Sequence, residues 1–141
     1  ISPYSAGAYL RNPPGSHNSL RTDRGCVLFV KRYPFDSDDT DVVRIDTANT
    51  PWVPGLVPGL RVMPLHQHRH QQAALVRWKP DTYFQPHAHI GGEEILVLSG
   101  VFEDEHGRYP AGTWIRSPHL SRHKPFSREG CTIYVKTGHL T

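Results

Sequence analysis

The stretch PHAHIGGEEILVLSG, residues 86–100, places two histidines and an acid directly before an unbroken apolar run. His87 and His89 are two residues apart, so on an extended chain both rings point to one face. Glu93 follows a Gly-Gly pair that can turn the chain and bring its carboxylate back to that face. Three metal-binding side chains from one hairpin call for a fourth from elsewhere in the sequence.

A second stretch with histidines, SPHLSRHKP at residues 117–125, offers that fourth ligand. His123 stands just before another apolar strand and is the favoured candidate, with His119 as the alternative. Among the acids, Glu94 is the alternative to Glu93, but strand alternation points it to the opposite face. A site of three histidines and one carboxylate can bind zinc, iron, nickel or manganese, and the ligand types alone do not choose among them.

The rest of the chain is typical of an all-β protein. Its 141 residues include 12 glycines and 13 prolines, well above the usual share of about 12% for the two together, and these separate short apolar segments. No window shows a convincing helical periodicity. The predicted strands are residues 26–32, 41–45, 72–78, 94–103, 113–116 and 130–136, with loops at 36–40 and 50–59.

An internal repeat links the two ends of the chain. Residues 4–31 align without gaps with residues 109–136 and share 10 identities in 28 positions, including a Gly-Cys pair before each final strand. The alignment predicts a structural duplication whose first copy contains only the second half of the unit. We therefore expect a partial repeat and linker in residues 1–50 and a complete domain in residues 51–141. The partial copy would leave a strand edge unpaired, so it either completes the sheet of the full domain or pairs with the same segment of a second molecule. We favour the second outcome and expect a homodimer.

Composition argues against several classes of function. The net charge is +3, and the basic residues are scattered among acidic ones without a DNA-reading motif, so we expect no nucleic-acid partner. No apolar run reaches the roughly 18 residues of a membrane span, so we expect no membrane association. Cys26 and Cys131 form no disulfide pattern, which favours a cytoplasmic location, and at matching strand positions we expect buried, inert thiols.

The two histidine-bearing stretches together resemble the two sequence motifs of the cupin superfamily. The first motif is filled by His87, His89, Glu93 and Gly100, and the second by Gly112, Pro118 and His123. Ser127 stands where the second motif often ends with Asn, which is not a metal ligand in that family. Within the superfamily, residues 52–136 resemble the cupin domain of ChrR-type anti-sigma factors and their stand-alone relatives, and LVRWKPDTYFQPHAH at residues 75–89 belongs to the same pattern.

The resemblance implies a cupin-type jelly-roll barrel or sandwich, preceded here by the partial second cupin repeat. It also implies one divalent metal ion held by His87, His89, Glu93 and His123. In ChrR-type proteins that metal is zinc, and the cupin takes part in transmitting an oxidant signal. Their sigma factor binds a separate helical module that these residues do not contain. We therefore expect a sigma-factor partner only through such a module.

Two functions fit these features. The first is a zinc-binding cupin domain of a ChrR-like transcriptional regulator, with a sensing or structural role. The second is an iron-dependent dioxygenase that cleaves a small dicarbonyl-type molecule bound at the metal. The sequence assigns no catalytic residue, and whether the protein is an enzyme stays open. An enzyme would need an acid or base near the metal, for which the candidates are Arg77, Tyr83, Gln85 and Glu94.

Other notable residues receive a structural interpretation. The stretch LHQHRHQQ contains His66, His68 and His70 and is interpreted as an exposed hairpin tip without a function, since no acid follows at the right spacing. Among the aromatic residues, Phe102 and Trp114 are candidates for the wall of the metal cavity.

Overall fold

The structure is a computed structural model that describes residues 3–32 and 36–140, and all regular structure within these ranges is β-strand. The all-β class is therefore confirmed. The strands are β1 (Ala8–Arg11), β2 (Val43–Asp46), β3 (Val53–Pro54), β4 (Leu60–His68), β5 (Gln71–Trp78), β6 (Thr82–Tyr83), β7 (His87–Ala88), β8 (Glu93–Asp104), β9 (Gly107–Pro110), β10 (Trp114–Ser117), β11 (Arg122–His123), β12 (Phe126–Ser127) and β13 (Cys131–Thr137).

One nine-stranded sheet contains most of the domain. Its strand order is β3-β4-β5-β13-β8-β12-β6, and β9 and β10 also pair with β8. The pairs β1–β2 and β7–β11 form two separate small ladders. All of these pairings are antiparallel, as in a jelly roll, and the long strand β8 connects the two parts of the sheet.

Strand β8 changes partners at Gly100. Residues before it pair with β10 and β13, whereas residues after it pair with β9 and β12. Gly100 has a φ of 71°, and a Cβ atom there would lie 2.0 Å from the carbonyl oxygen of Gly130. Only glycine fits both the backbone conformation and this close approach.

The inner face of the sheet builds the main hydrophobic core. Alternation along β5 points Val76 and Trp78 to this face, and β8 and β13 add their own inward residues. The buried members of this cluster are Leu60, Trp78, Ile95, Val97, Phe102, Cys131 and Ile133. Burial of these side chains rigidifies the strands from which the candidate site is built.

The outer face of the same sheet packs against the β1–β2 ladder. Met63, Leu65, Ala73 and Leu75 are buried there, and Tyr9 of β1 and Ile45 of β2 pack on them. The ring of Tyr9 stacks on Tyr134 of β13 with centroids 6.4 Å apart. The residues before position 50 thus cover a sheet face that would otherwise be exposed.

Residues 26–32 form no strand, so the strand predicted there is wrong. They run as an irregular segment whose apolar side chains are exposed, with Val27 fully exposed and Leu28 at 54%. Cys26 is exposed rather than buried, unlike its sequence counterpart Cys131. The segment contacts the sheet through Phe29, whose ring centroid is 6.0 Å from that of Tyr134.

Backbone turns nevertheless match between the two copies of the sequence repeat. Positive φ values occur 105 residues apart at three pairs of positions: Gly7 and Gly112, Gly15 and Leu120, and Gly25 and Gly130. Strand β1 lies within one residue of the position that corresponds to β10. The duplication itself stays a prediction, because the second strand of the first copy is absent.

Strand β4 was missed in the sequence, although it is nine residues long. Its ladder with β5 shifts register between Pro64 and His66, and this irregularity accommodates a proline inside a strand. The five other predicted strands are confirmed with boundaries that move by one or two residues. In the described ranges, no helix is long and apolar enough to cross a membrane.

Candidate metal centre

Three strands bring four side chains to one point on the inner face. His87 on β7 pairs in register with His123 on β11, and His89 follows directly after β7. Glu93 is the first residue of β8 and returns to the same face after the turn at Gly91 and Gly92. One ligand atom from each of the four lies within 4.8 Å of the others.

Distances between the facing atoms suit a small cation. Nε2 of His89 lies 3.0 Å from Nε2 of His87 and 3.3 Å from Oε1 of Glu93, while Nε2 of His123 lies 3.6 Å from that same oxygen. Ligands about 2.1 Å from a metal ion are roughly 3.4 Å apart in a tetrahedral site and roughly 3.0 Å apart as octahedral neighbours. The geometry fits a divalent ion without choosing its coordination number.

The outer nitrogens of the three histidines are all engaged by groups behind the site. Nδ1–H of His87 donates to the carbonyl oxygen of Gln85 at 3.0 Å, which leaves its Nε2 as an acceptor. Nδ1 of His89 is hydrogen-bonded to the Ser121 hydroxyl at 3.1 Å. Partners of this kind fix ring orientation, so that each Nε2 faces the centre of the site.

Asp104, at the far end of β8, supports the fourth ligand. Nδ1–H of His123 donates to Oδ2 of Asp104 at 3.4 Å, and the hydroxyl of Tyr109 donates to its other oxygen at 3.1 Å. His123 and Asp104 are both buried. A carboxylate that accepts from a ligating histidine raises the basicity of the ring and holds its tautomer.

Burial shifts the pKa values of the ligand residues. Desolvation, together with the neighbouring rings of His123 and His87, lowers the pKa of His89 to about 4. Desolvation and the nearby ring of His87 also lower the pKa of His123. These rings are therefore neutral near pH 7, which is the state in which imidazole binds a metal.

Glu93 provides the strongest sign that a cation belongs here. Burial, with a smaller effect from Asp104, raises the pKa of its carboxyl to about 7. Its Oε1 is buried and has no hydrogen-bond partner, although it faces two imidazole rings. A buried carboxylate oxygen without a donor is costly, and a divalent ion among the four ligands would satisfy it.

The alternative ligands lie elsewhere. Nδ1 of His119 accepts a hydrogen bond from the backbone N–H of Gly91 at 2.8 Å and is not part of the group. Glu94 points to the outer side of the sheet, where it pairs with Lys31 and with His139. Strand alternation therefore separates the two neighbouring acids, as expected.

Most of the proposed acids and bases do not reach the metal centre. Arg77 lies over the ring of Trp52, 4.1 Å from its centroid, and the half-exposed ring of Tyr83 stacks on Phe126. Gln85 contributes only its backbone carbonyl. Sequence reasoning missed Asp104 and Ser121, and the position of Ser121 two residues before His123 was the one signal available for the latter.

A cavity of about 170 Å³ opens beside the four residues. His87, Glu93 and His123 form one end of it, and the remaining wall is apolar. Phe102 lines this cavity, as proposed from the sequence. Trp114 does not line it, and its side chain is 54% exposed on β10.

The second histidine cluster was misinterpreted in part. His66 and His68 lie on strand β4 and not at the hairpin tip, which is formed by Arg69 and His70. Nε2 of His66 is 3.1 Å from the carboxylate of buried Asp39, which also pairs with Arg11. This cluster joins the loop before β2 to the sheet through the hydrogen bond between His66 and Asp39.

A family model matches most of the chain. The model of the ChrR cupin-like domain matches residues 40–141. The chain belongs to the ChrR cupin-like family. A search of curated proteins found no match to the sequence.

Solved structures place this ChrR-like cupin among related folds. The crystal structure of Rhodobacter sphaeroides SigE in complex with the anti-sigma ChrR matches with a TM-score of 0.56 and 27% identity. That match covers 64% of this chain and 49% of the other, so the chain spans about half the length of its ChrR relative.

Two further structures support the fold alone. An acetylacetone dioxygenase from Acinetobacter johnsonii matches with a TM-score of 0.59 and 17% identity, covering 86% of this chain and 80% of that one. KdgF from Halomonas sp. matches with a TM-score of 0.54 and 22% identity, covering 67% and 92%. Both identities are too low to transfer an activity.

Proposed function

We propose that this domain binds one divalent metal ion, zinc, through His87, His89, Glu93 and His123. The observation that carries the proposal is the convergence of three imidazole nitrogens on an unpartnered buried carboxylate oxygen. Zinc accepts such nitrogen and oxygen ligands, and the resemblance to ChrR-type cupins favours it over iron, nickel or manganese. When bound, the ion would supply a Lewis-acid centre at the end of the apolar cavity.

The proposed role is that of a sensing or structural domain in a ChrR-like regulator. Support comes from the family match and from the ChrR relative, which forms a complex with a sigma factor. In this proposal, the cupin holds the metal, and its conformation responds to a ligand bound at that metal. The contact with a sigma factor belongs to a helical module outside the matched residues. Both cysteines are unpaired and Cys26 is exposed, which favours a reducing, cytoplasmic location.

Elemental analysis of the purified protein tests the metal site. We expect about one zinc per chain, and less than about one tenth of that after His123→Ala, because three ligands with an empty position bind far more weakly. His17→Ala serves as the control, since His17 is exposed and lies one residue from the position that corresponds to His123. Full zinc occupancy in the His123→Ala protein would falsify the assignment.

A dioxygenase is the second candidate, and the apolar cavity beside the metal site is the observation that favours it. The fold is shared with an acetylacetone dioxygenase. Iron in the purified protein, together with oxygen consumption on adding a small β-dicarbonyl compound, would support the dioxygenase function. Zinc in the purified protein without oxygen consumption would support the regulatory function.

We further infer that residues 26–30 mediate a homodimer. Their sequence matches β13, a central strand with two neighbours, yet within the described ranges they belong to no ladder. The same segment of a second copy can pair with them antiparallel about a two-fold axis and cover Val27 and Val30, which are 100% and 60% exposed.

Sedimentation tests this association. We expect a dimer at tens of micromolar that Val27→Asp converts to a monomer, because a buried unpaired charge opposes pairing. Val42→Asp is the matched control, since Val42 is 64% exposed and lies outside the segment. A wild-type monomer at that concentration contradicts the inference.

A further inference from the structure

The cavity beside the metal site has two chemically different ends. His87, Glu93 and His123 line one end, and every other lining residue is aliphatic, aromatic or proline. Among the residues that the structure describes, no lysine, arginine, hydroxyl or amide side chain lines it. A molecule held here would find polar partners only at the metal-binding end.

The apolar wall is built on the rigid part of the sheet. Val62 comes from β4, Val76 from β5, and Ile133 and Val135 from the central strand β13. Ile133 is only 3% exposed and belongs to the main core cluster. The shape of this wall is therefore fixed by the fold before any ligand binds.

Leu56 stands at the mouth of the cavity. It lines the cavity although 86% of its surface is exposed, and it lies in the turn between β3 and β4. Hydrogen bonds from Gly55 N–H to the Leu60 carbonyl at 2.9 Å and from Leu60 N–H to the Val57 carbonyl at 3.2 Å hold that turn. A large exposed aliphatic side chain in this position gains burial when a ligand with an apolar tail enters.

We propose that the cavity binds a small organic molecule with an oxygen-donor head and an uncharged hydrocarbon body. The head would coordinate the metal, and the body would fill the cavity and pack against its apolar wall. This inference rests on the proposed metal site and deepens it by naming the ligand class.

Size and polarity both limit that class. A dry apolar cavity of about 150 Å³ holds benzene, so 170 Å³ holds a molecule of about six to eight heavy atoms. A sugar or a dicarboxylate would bury hydroxyl or charged groups without partners against this wall, which disfavours its binding. The cavity should therefore bind hydrophobic chelators in preference to polyols and to molecules with a second charge.

A series of hydroxamates tests this on the zinc-loaded full chain. Acetohydroxamate, butanohydroxamate and hexanohydroxamate share one metal-binding head and differ in tail length. Calorimetry should show affinity rising roughly fourfold for each methylene until the cavity is full, because each buried methylene adds a constant increment. The mono-hydroxamate of succinic acid, with a charged tail of similar length to butanohydroxamate, should bind no more tightly than acetohydroxamate.

Leu56→Ala provides a variant that leaves the fold intact, since the residue is exposed. It should reduce affinity for hexanohydroxamate several-fold while acetohydroxamate affinity and zinc content stay unchanged. Leu98→Ala is the control, because Leu98 is also exposed but does not line the cavity.

The outcomes separate the two proposals. Zinc-loaded protein that binds all tails equally, or prefers the charged tail, overturns the ligand class and leaves the metal site standing. Protein that takes up no zinc overturns both.

Discussion

Residues 26–31 and residues 131–136 share a sequence pattern, CVLFVK against CTIYVK, but adopt different structures. The second stretch forms β13, which hydrogen-bonds to β5 on one side and to β8 on the other. The first stretch has no ladder partner in the described part of the chain and exposes its apolar side chains. β-propensity describes how well a segment fits a sheet, and it cannot provide the neighbouring strands.

The largest expected difference between the two stretches is in stability. Ile133→Ala should lower the free energy of unfolding by about 2–5 kcal/mol, because it leaves a cavity in the main core. Leu28→Ala, at the corresponding position, should change it by less than about 0.5 kcal/mol, since that side chain is 54% exposed. Urea unfolding of both variants at a concentration where wild type is monomeric measures the contrast. Equal losses would mean that residues 26–31 are packed in solution.

A smaller effect should distinguish the Arg128–Glu103 ion pair from the Arg21–Asp23 ion pair. Hydrogen bonds from Arg128 hold the pKa of buried Glu103 at about 2, against an ordinary value of 4.5. Because the folded pKa is depressed, this contribution is present above about pH 4.5 and is lost as pH falls towards 2. Arg128→Ala should lower the melting temperature by a few degrees at pH 6 and flatten its decrease below pH 4.5.

Asp23 is the sequence counterpart of Arg128 and provides the control for that experiment. It pairs with Arg21 at 3.3 Å, with both side chains at least 84% exposed. Such a pair is screened by solvent, so Asp23→Ala should leave both the melting temperature and its pH dependence unchanged. A similar response from the two variants would mean that burial of the acceptor does not matter here.

The smallest effect concerns the two matched glycines. Gly130 and Gly25 have φ values of 83° and 79°, but a Cβ at Gly130 would lie 3.1 Å from Pro80, whereas one at Gly25 meets nothing within 4 Å. Gly130→Ala should cost about 1 kcal/mol or more. Gly25→Ala should cost less, because strain in a weakly packed segment can relax. Thermal unfolding of the two variants measures this difference, and a larger loss for Gly25→Ala would contradict it.

Sequence reasoning reached most of the fold because the strands within the sheet have strong local patterns. Strands β5, β8 and β13 combine β-branched and aromatic residues with clear ends. Strand β4 escaped because Pro64 and two histidines interrupt its pattern, and a register shift that accommodates the proline cannot be read from composition. The strand predicted at residues 26–32 is wrong for the opposite reason, since the local pattern is typical of a strand but no neighbouring strand pairs with it in the described part of the chain.

The candidate ligands could be selected from spacing and resemblance, but the groups behind them could not. His87 and His89 lie two residues apart, whereas Asp104 lies 19 residues before the His123 ring that it contacts. Its position depends on the full length of β8, because Glu93 at the start of this strand and Asp104 at its end both lie beside the His123 ring. Contacts of this kind depend on tertiary structure and leave no short-range signal.

Gly100 suggests how such domains diverge. Its close approach to the Gly130 carbonyl depends on the pairing of β8 with β13 and not on any ligand. A lineage that abandoned metal binding could replace His87 or His123 at modest structural cost, but it could not replace this glycine without moving a strand. The glycine of the first motif should therefore persist in descendants that no longer use an ion. In distant relatives, we expect this glycine to mark inherited architecture and only the histidines and the acid to report on inherited chemistry.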